Sequence, residues 1–332
     1  MTYIITGARG YIGSALVKRL ASRGHALRLV SRFAVAPDDH AGHTAIEHVQ
    51  ADLRDEQSWF SLLEDADGVV HLSWRSDLRA AEAGPADDRV LNVEPVRALV
   101  RAAERRRIAL PVIFASSTSI AGAVHVNPVS EETPDRPCTV YDRHKLECET
   151  MLGEATRRGV IRACSLRLPT VFGYGDGVSS VNDNRGVLNA MIRRAVRGEA
   201  LTIYGAGEYI RDFVFVGDVV DAFCRALETD RVWSGKHYVI GTGHGHNLAD
   251  AFTRVAHEAY RVTGRRAQVR HVPEPPDLHP IERSDFVGDA SLFQDLTGWR
   301  PNVNLEAGIR DYLQRLVAAE FQVSSVGARA GT

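Results

Sequence analysis

Tyr141 and Lys145 stand four residues apart in the stretch Tyr141-Asp142-Arg143-His144-Lys145. On a helix that spacing puts both side chains on one face. A phenol ordinarily titrates near ~10, too high for proton exchange at neutral pH. A neighbouring ammonium favours the phenolate and lowers that value. With a hydroxyl to hold an oxygen beside it, the pair is acid/base apparatus for interconverting an alcohol and a ketone. Ser117 offers the hydroxyl, at the end of the apolar run Phe114-Ala115-Ser116-Ser117-Thr118. A lone Tyr-x-x-x-Lys is common by chance; here strand-end serines and a glycine loop precede it. Lys145 is also one of three lysines, with Lys18 and Lys236, among 40 basic residues. Where arginine is the default, a lysine marks a need for a compact, tunable ammonium.

The glycine loop is Thr6-Gly7-Ala8-Arg9-Gly10-Tyr11-Ile12-Gly13. Three glycines at three-residue spacing allow a tight turn and a close backbone approach to a pyrophosphate, and the helix that follows offers free N–H groups. This predicts a dinucleotide site. An NAD site usually carries an acid at the end of the second strand, for the ribose 2′-hydroxyl. Here Leu27-Arg28-Leu29-Val30 ends in Ser31-Arg32. Arg9 could reach the same position from the glycine loop. Two arginines and no carboxylate predict a 2′-phosphate, hence NADP(H). Asp52-Leu53 closes a third strand and can accept from the adenine amine. Leu72-Ser73-Trp74 ends the fourth and should face the cofactor's middle.

These residues need elements to place them. Apolar runs fall at Tyr3–Thr6, Ala26–Val30, Gly68–Leu72, Val112–Ala115 and Ala163–Leu168. Helical spacing fills Tyr11–Ser22, Glu56–Leu63, Val90–Arg106 and Tyr141–Arg157. Alternating strands and helices predict an α/β fold, a doubly wound parallel sheet of Rossmann type binding its ligand at the strands' carboxyl ends. Beyond it we expect a helix at Val187–Arg197, strands at Leu201–Tyr204 and Arg211–Val216, a helix at Val219–Glu228 and a proline-rich loop at His271–Phe286. The expected division is a dinucleotide-binding domain at 1–169, rejoined by 208–240, and a smaller α/β substrate-binding domain at 170–207 and 241–320. Residues 321–332 are expected to be a disordered tail.

The chain has 332 residues, enough for about two domains, and a formal net charge of -2. That balance predicts no nucleic-acid partner and no membrane surface. Cys138, Cys148, Cys164 and Cys224 form no CxxC pair and suit reduced thiols in a cytoplasmic protein. With a strand-like run already at Tyr3, no signal peptide is expected. The histidines, including His244 and His246, show no metal-ligand spacing, so no metal site is expected.

In combination these residues resemble the extended short-chain dehydrogenase/reductases, the epimerases and dehydratases of nucleotide sugars. The resemblance runs from Tyr3 to Tyr312. It is carried by the glycine loop, Asp52, Leu72-Ser73, Asn92, Ser117, Tyr141/Lys145, Leu166–Gly173, Tyr204-Gly205, Arg211–Val216 and Leu296–Pro301. It implies that Ser117, Tyr141 and Lys145 are the catalytic residues. It adds Asn92, Ser116 and Pro169 to the cofactor's lining. Thr118, Thr170, Asn182, Arg185, Arg211 and Arg283 join Ser117 toward the substrate, with Arg211 on its diphosphate. The 4,6-dehydratases carry Thr-Asp-Glu where this chain has Ser117-Thr118-Ser119, which argues against dehydration. Epimerases usually show Val-Tyr-Gly at Ile120-Ala121-Gly122 and often Asn at Thr170. Further likeness, in Val30–Arg32, Leu166–Gly173, Gly186–Leu201 and Phe286–Pro301, is to the 4-ketoreductases of antibiotic deoxysugar pathways.

The expectation is therefore NADPH-dependent reduction of a dTDP-linked 4-keto-6-deoxy sugar. The alternative is a nucleotide-sugar 4-epimerase with tightly bound NAD. A non-catalytic NADP-sensing protein is the third possibility, opposed by the intact Ser117, Tyr141 and Lys145. The resemblance further implies a homodimer through Val90–Arg106 and Tyr141–Arg157, whose apolar faces are broad for exposed helices. Cys138 reads as a loop thiol, and His144 as an interface or solvent residue. Trp74 and Arg75 fit substrate contact or plain packing equally well.

Overall fold

The computed structural model describes residues 1–33, 45–123, 128–175, 186–276 and 278–329. The first half runs β1 (Thr2–Thr6), α1 (Tyr11–Ser22), β2 (Ala26–Ser31), β3 (Ile46–Gln50), α2 (Glu56–Leu62) and β4 (Gly68–His71). It continues with α3 (Leu78–Ala83), α4 (Pro85–Asn92), α5 (Glu94–Arg106), β5 (Pro111–Ser117), α6 (Val140–Arg157) and β6 (Arg162–Leu168). Then come β7 (Thr170–Phe172), α7 (Val187–Val196), β8 (Leu201–Tyr204), β9 (Ile210–Phe215), α8 (Val216–Leu227) and β10 (His237–Val239). The chain ends with β11 (Gly245–Asn247), α9 (Leu248–Thr263), β12 (Val269–Val272), α10 (Ser291–Thr297) and α11 (Leu305–Arg329).

Seven strands form one sheet in the order β10-β6-β5-β4-β1-β2-β3. Every pairing in it is parallel. Both faces are covered, so its strands read as near-continuous apolar runs rather than alternating ones. Alternate side chains feed two cores. Tyr3 and Ile5 join α1 and α8 through Leu16, Leu20 and Phe223. Ile4 joins α2, α5 and α6 through Trp59, Leu99 and Leu152 on the other face. The expected doubly wound sheet is what forms. β10 lies outermost, with Tyr238 opposite Leu166.

A third core gathers α7, α9 and α11 around Phe172, Ile192, Phe252 and Tyr312. The small sheets β11-β9-β7 and β12-β8 stand beside it. Buried Asp212 of β9 accepts from the N–H groups of Thr242, Gly243 and Gly288, which ties two loop segments to one strand.

Three elements differ from expectation. Val90–Arg106 is two helices, because Pro95 falls in the first turn of α5. A proline ring clashes with the carbonyl four residues back, so α4 must end before it. The proline-rich stretch is not all loop. Val269–Val272 pairs in parallel with β8, and Pro280–Arg283 makes a short 3-10 turn. The tail expected to be disordered from 321 is helical to Arg329.

Candidate active site

The site lies at the carboxyl ends of β1, β4 and β5. Gly7 has φ of +67°, and a Cβ there would sit 2.8 Å from the Leu72 carbonyl carbon and the Ser73 nitrogen. A Cβ on Gly13 would come 2.1 Å from the Gly7 oxygen. The loop is therefore closed to side chains, and α1 opens on Gly10 with no side-chain cap. Its first turn borders a cavity of about 460 Å³ lined by Gly7, Gly10, Tyr11, Ile12, Gly13, Leu72, Trp74, Ser116, Ser117, Tyr141, Lys145, Pro169 and Thr170. An uncapped helix N-terminus against a glycine cradle fits a dinucleotide pyrophosphate. Ser116, behind it, keeps a buried hydroxyl without a protein partner.

A second pocket of about 250 Å³ continues past Trp74 toward the end of β2. It collects Ser31, Arg32, Asp52, Leu53, Ser73 and Asn92, as the sequence reading asked. Their side chains carry corrections. Asp52 is held bidentately by Arg54, which draws its carboxyl down to about 2. The expected adenine acceptor is thus already engaged, and Arg54 is a third guanidinium in the pocket with Arg32 and Arg75. Ser31 turns its hydroxyl back to the Phe33 carbonyl. The Asn92 amide accepts from the Arg75 N–H at 2.8 Å and donates to Asp88 at 3.1 Å, so it braces the wall. Arg9 is exposed and lines neither pocket.

Tyr141 and Lys145 do share a face of α6. The helix starts on a capping box: Thr139 Oγ1 accepts from the Asp142 N–H at 2.9 Å, and Asp142 Oδ2 from the Thr139 N–H at 3.3 Å. The Lys145 ammonium is not on the phenol oxygen. It donates to the Ala115 carbonyl at 2.6 Å and sits 3.6 Å from the centre of the Trp74 ring. Burial pushes it down to about 7. Burial first, then the Asp142 carboxylate, pushes the Tyr141 phenol up, against a smaller opposing pull from the Ser117 hydroxyl. The expected lowering of the phenol by Lys145 is therefore not present in this arrangement, because the ammonium faces Ala115 and the aromatic wall. Trp74 packs edge-on against Tyr141 at 5.9 Å and lines the cleft. His144, expected at an interface or in solvent, is buried with its Nδ1 2.7 Å from Asp88 Oδ2.

A third cavity, about 740 Å³, opens beyond Ser117. Ser117, Thr118, Pro169, Thr170 and Arg211 line it. Thr118 donates to the Leu168 carbonyl at 3.1 Å and is buried, so its hydroxyl supports the wall. The Arg211 guanidinium donates to the backbone carbonyls of Glu282, at 2.6 Å, and Ser284. Arg283 points elsewhere, into an ion pair with Glu274 at 3.0 Å, and is not among the lining residues. Asn182 and Arg185 lie outside the described residues. Unanticipated lining comes from Ser76, Asp77, Leu78, Arg79, Met191, Tyr204, Tyr209 and Phe252. Apart from Tyr204, which opens the Tyr204-Gly205 motif, nothing in their local sequence marks them; folding brings them together. Ser119 and Asp142 are different. A second hydroxyl two residues after Ser117, and a carboxylate beside Tyr141, could have been read as part of the acid/base centre.

The family model for the NAD dependent epimerase/dehydratase family matches residues 3–241. A UDP-glucose 4-epimerase of Mycolicibacterium smegmatis is 28% identical over 317 residues, covering 93% of this chain and 96% of that one. UDP-glucuronic acid decarboxylase 1 of Xenopus tropicalis is 28% identical across 92% of this chain and 70% of its own length. The structure of a Thermus thermophilus UDP-glucose 4-epimerase in complex with NAD superposes with a TM-score of 0.80 at 25% identity, covering 95% of this chain and 98% of that one. With a family model spanning most of the chain, and relatives aligned along nearly all of it, the chain belongs to the NAD dependent epimerase/dehydratase family.

Proposed function

We propose that the chain is a nucleotide-sugar 4-epimerase that keeps its nicotinamide dinucleotide bound between turnovers. The observation that carries this reading is where the cavities meet. Ser117 lines both the glycine-loop cleft and the larger cavity, with Tyr141 and Lys145 on the cleft side. A sugar carbon held at that junction lies between an acid/base group and the cofactor cleft. The relatives named for UDP-glucose 4-epimerisation support the choice of substrate class.

A bound nicotinamide dinucleotide supplies the hydride acceptor and donor. The chain's residues do the rest. Tyr141 exchanges the proton at the C4 oxygen. Ser117 orients that oxygen. Lys145 sits among Trp74, Phe114 and Tyr141 and donates to the Ala115 carbonyl, which fixes the cleft wall beside the phenol. Arg211, clipped to Glu282 and Ser284, holds one wall of the cavity toward a diphosphate. We infer a homodimer for the working form.

One observation favours a second reading, net NADPH-dependent reduction of a dTDP-4-keto-6-deoxyhexose. Arg32, Arg54 and Arg75 gather in the pocket at the end of β2, with Asp52 already paired. A 2′-phosphate suits that cluster better than a bare ribose hydroxyl does. The deciding experiment gives the purified enzyme UDP-glucose, then dTDP-4-keto-6-deoxyglucose with NADPH. C4 inversion without added cofactor supports the epimerase. NADPH consumed one-for-one with alcohol formed overturns it in favour of the reductase.

A further inference from the structure

Ser117 does not stand alone. Its oxygen accepts from the Ser119 N–H at 3.3 Å and lies 2.7 Å from the Ser119 hydroxyl. The Ser119 hydroxyl in turn donates to Asp142 Oδ1. Asp142 is buried, 1% exposed, on the first turn of α6 next to Tyr141. The chain of contacts therefore runs from the acid/base centre to a buried carboxyl through two hydroxyls.

The direction of these bonds follows from donor and acceptor counting. An ionised carboxylate only accepts. Ser119 must then give its proton to Asp142, and its remaining lone pairs face Ser117. Ser117 gives its proton to Ser119. Having also accepted the Ser119 N–H, Ser117 keeps no proton and one lone pair, which takes the Tyr141 phenol or an alcohol in the cavity. In this state it can accept from an alcohol but cannot donate to a ketone. Protonating Asp142 reverses the series: Asp142 donates to Ser119, Ser119 to Ser117, and Ser117 to the cavity.

We propose that Asp142 is a positioning residue that acts through Ser119 to set Ser117 as acceptor for the alcohol form of the substrate and as donor for the ketone form. The proposal rests on the alcohol–ketone reading of the site given above. As oxidation removes hydride from the carbon, the substrate O–H bond breaks and its proton goes to Tyr141, whose own phenol proton passes to Ser117. Ser117's own proton passes to Ser119, and Ser119's to Asp142 Oδ1. The carboxylate becomes the acid, and the Ser117 O–H now points at the ketone oxygen. Reduction runs the same bonds backward. The neutral phenol of Tyr141 adjoins Ser117 and can use the same path to exchange its proton.

Around Asp142 stand Tyr141 on its own helix, Cys138 just ahead of it, His279 from the Pro280 turn and, at the same helix end, Glu82 of α3, which accepts from the Val140 N–H. Burial pushes the Asp142 carboxyl up, while Ser119, Thr139 and His279 oppose the rise.

The test compares binding of UDP-6-deoxyglucose and UDP-4-keto-6-deoxyglucose, which differ at C4 alone, by calorimetry from acid to neutral pH. In the wild type, preference for the alcohol over the ketone should grow as pH rises, by about tenfold, the worth of one misdirected hydrogen bond. Asp142→Asn keeps an oxygen for the Thr139 N–H, but its amide donates to Ser119. It should therefore hold the ketone preference at every pH. Ser119→Ala leaves the capping box whole and cuts the path, so its ratio should be flat with pH. Rescue by Ser119→Thr should restore the slope. A wild-type ratio that is flat with pH, or an unchanged slope in both variants, overturns the proposal. If neither nucleotide binds the wild type, the alcohol–ketone reading falls first and takes this proposal with it.

Discussion

The glycine-loop cleft takes most of its walls from the glycine loop at 7 and 10–13, from strand ends at 72–76 and 115–117 and from one helix face at 141–145. It shares Leu78, 168–170 and Gly186 with the cavity beyond Ser117. The cavity beyond Ser117 draws on 76–79, 117–119, 168–170, 186–191, 202–211, 248–252 and 278–286. One is made of backbone turns and positions the sheet dictates. The other is made of side chains that seven separate stretches bring together. A cleft built from backbone tolerates little change and serves one ligand. A cavity built from scattered side chains can change its ligand by single substitutions.

Four substitutions probe that contrast. The largest effect should come where the two spaces meet. Tyr141→Phe removes the proton donor and should lower kcat by roughly 10²–10⁴-fold, with cofactor affinity kept; near-wild-type turnover would remove Tyr141 from the mechanism. Next is Lys145→Met. The folded chain holds the ammonium at about 7, below its ordinary 10.5. The unfolded chain therefore binds that proton more readily between those values, and wild-type stability rises with pH across the window. The variant should be more stable by about 1–4 kcal/mol below pH 7, with the advantage shrinking toward alkaline pH, while losing activity. Urea melts at several pH values would check the sign.

Gly13→Ala attacks the backbone-built side. A Cβ 2.1 Å from the Gly7 oxygen must shift the loop. We expect a loss of about 1–3 kcal/mol in stability and weaker dinucleotide binding, with UDP-sugar affinity measured by calorimetry unchanged. The smallest effect should fall on the side-chain-built cavity. Arg211→Lys gives up the two-carbonyl clip on Glu282 and Ser284. It should weaken sugar-nucleotide binding by about tenfold and leave dinucleotide affinity alone. If the dinucleotide is the ligand that suffers, Arg211 serves the other space.

What could be read in advance followed the same division. Gly7, Gly10 and Gly13 announce themselves because a turn, a close approach and a helix start impose a fixed spacing. Tyr141 and Lys145 do so because a helix repeats every 3.6 residues. Arg54 was missed, since a basic residue beside Asp52 carries no period; only the fold shows the pair closing on itself. Arg211 was read as a substrate ligand from the family resemblance. Its carbonyl partners lie over 70 residues away in sequence. Val90–Arg106 was read as one helix although Pro95 is visible, because the apolar spacing runs through the break. The buried Asp88–His144 contact joins two helices that look amphipathic and independent.

β10 has a consequence for how the molecule is made. It is three residues long, yet it covers the outer edge of β6, and residues 169–236 intervene. During synthesis at ~5–20 residues per second, the nearly wholly buried β6 strand waits roughly 4–14 s for its neighbour to leave the ribosome. Over that interval an apolar strand edge is open to pairing with other nascent chains. Yield in the cell should then depend on chaperones and translation speed at 169–236, and a chain stopped at Lys236 should collect in the insoluble fraction even though its glycine loop and its Ser117, Tyr141 and Lys145 are all present.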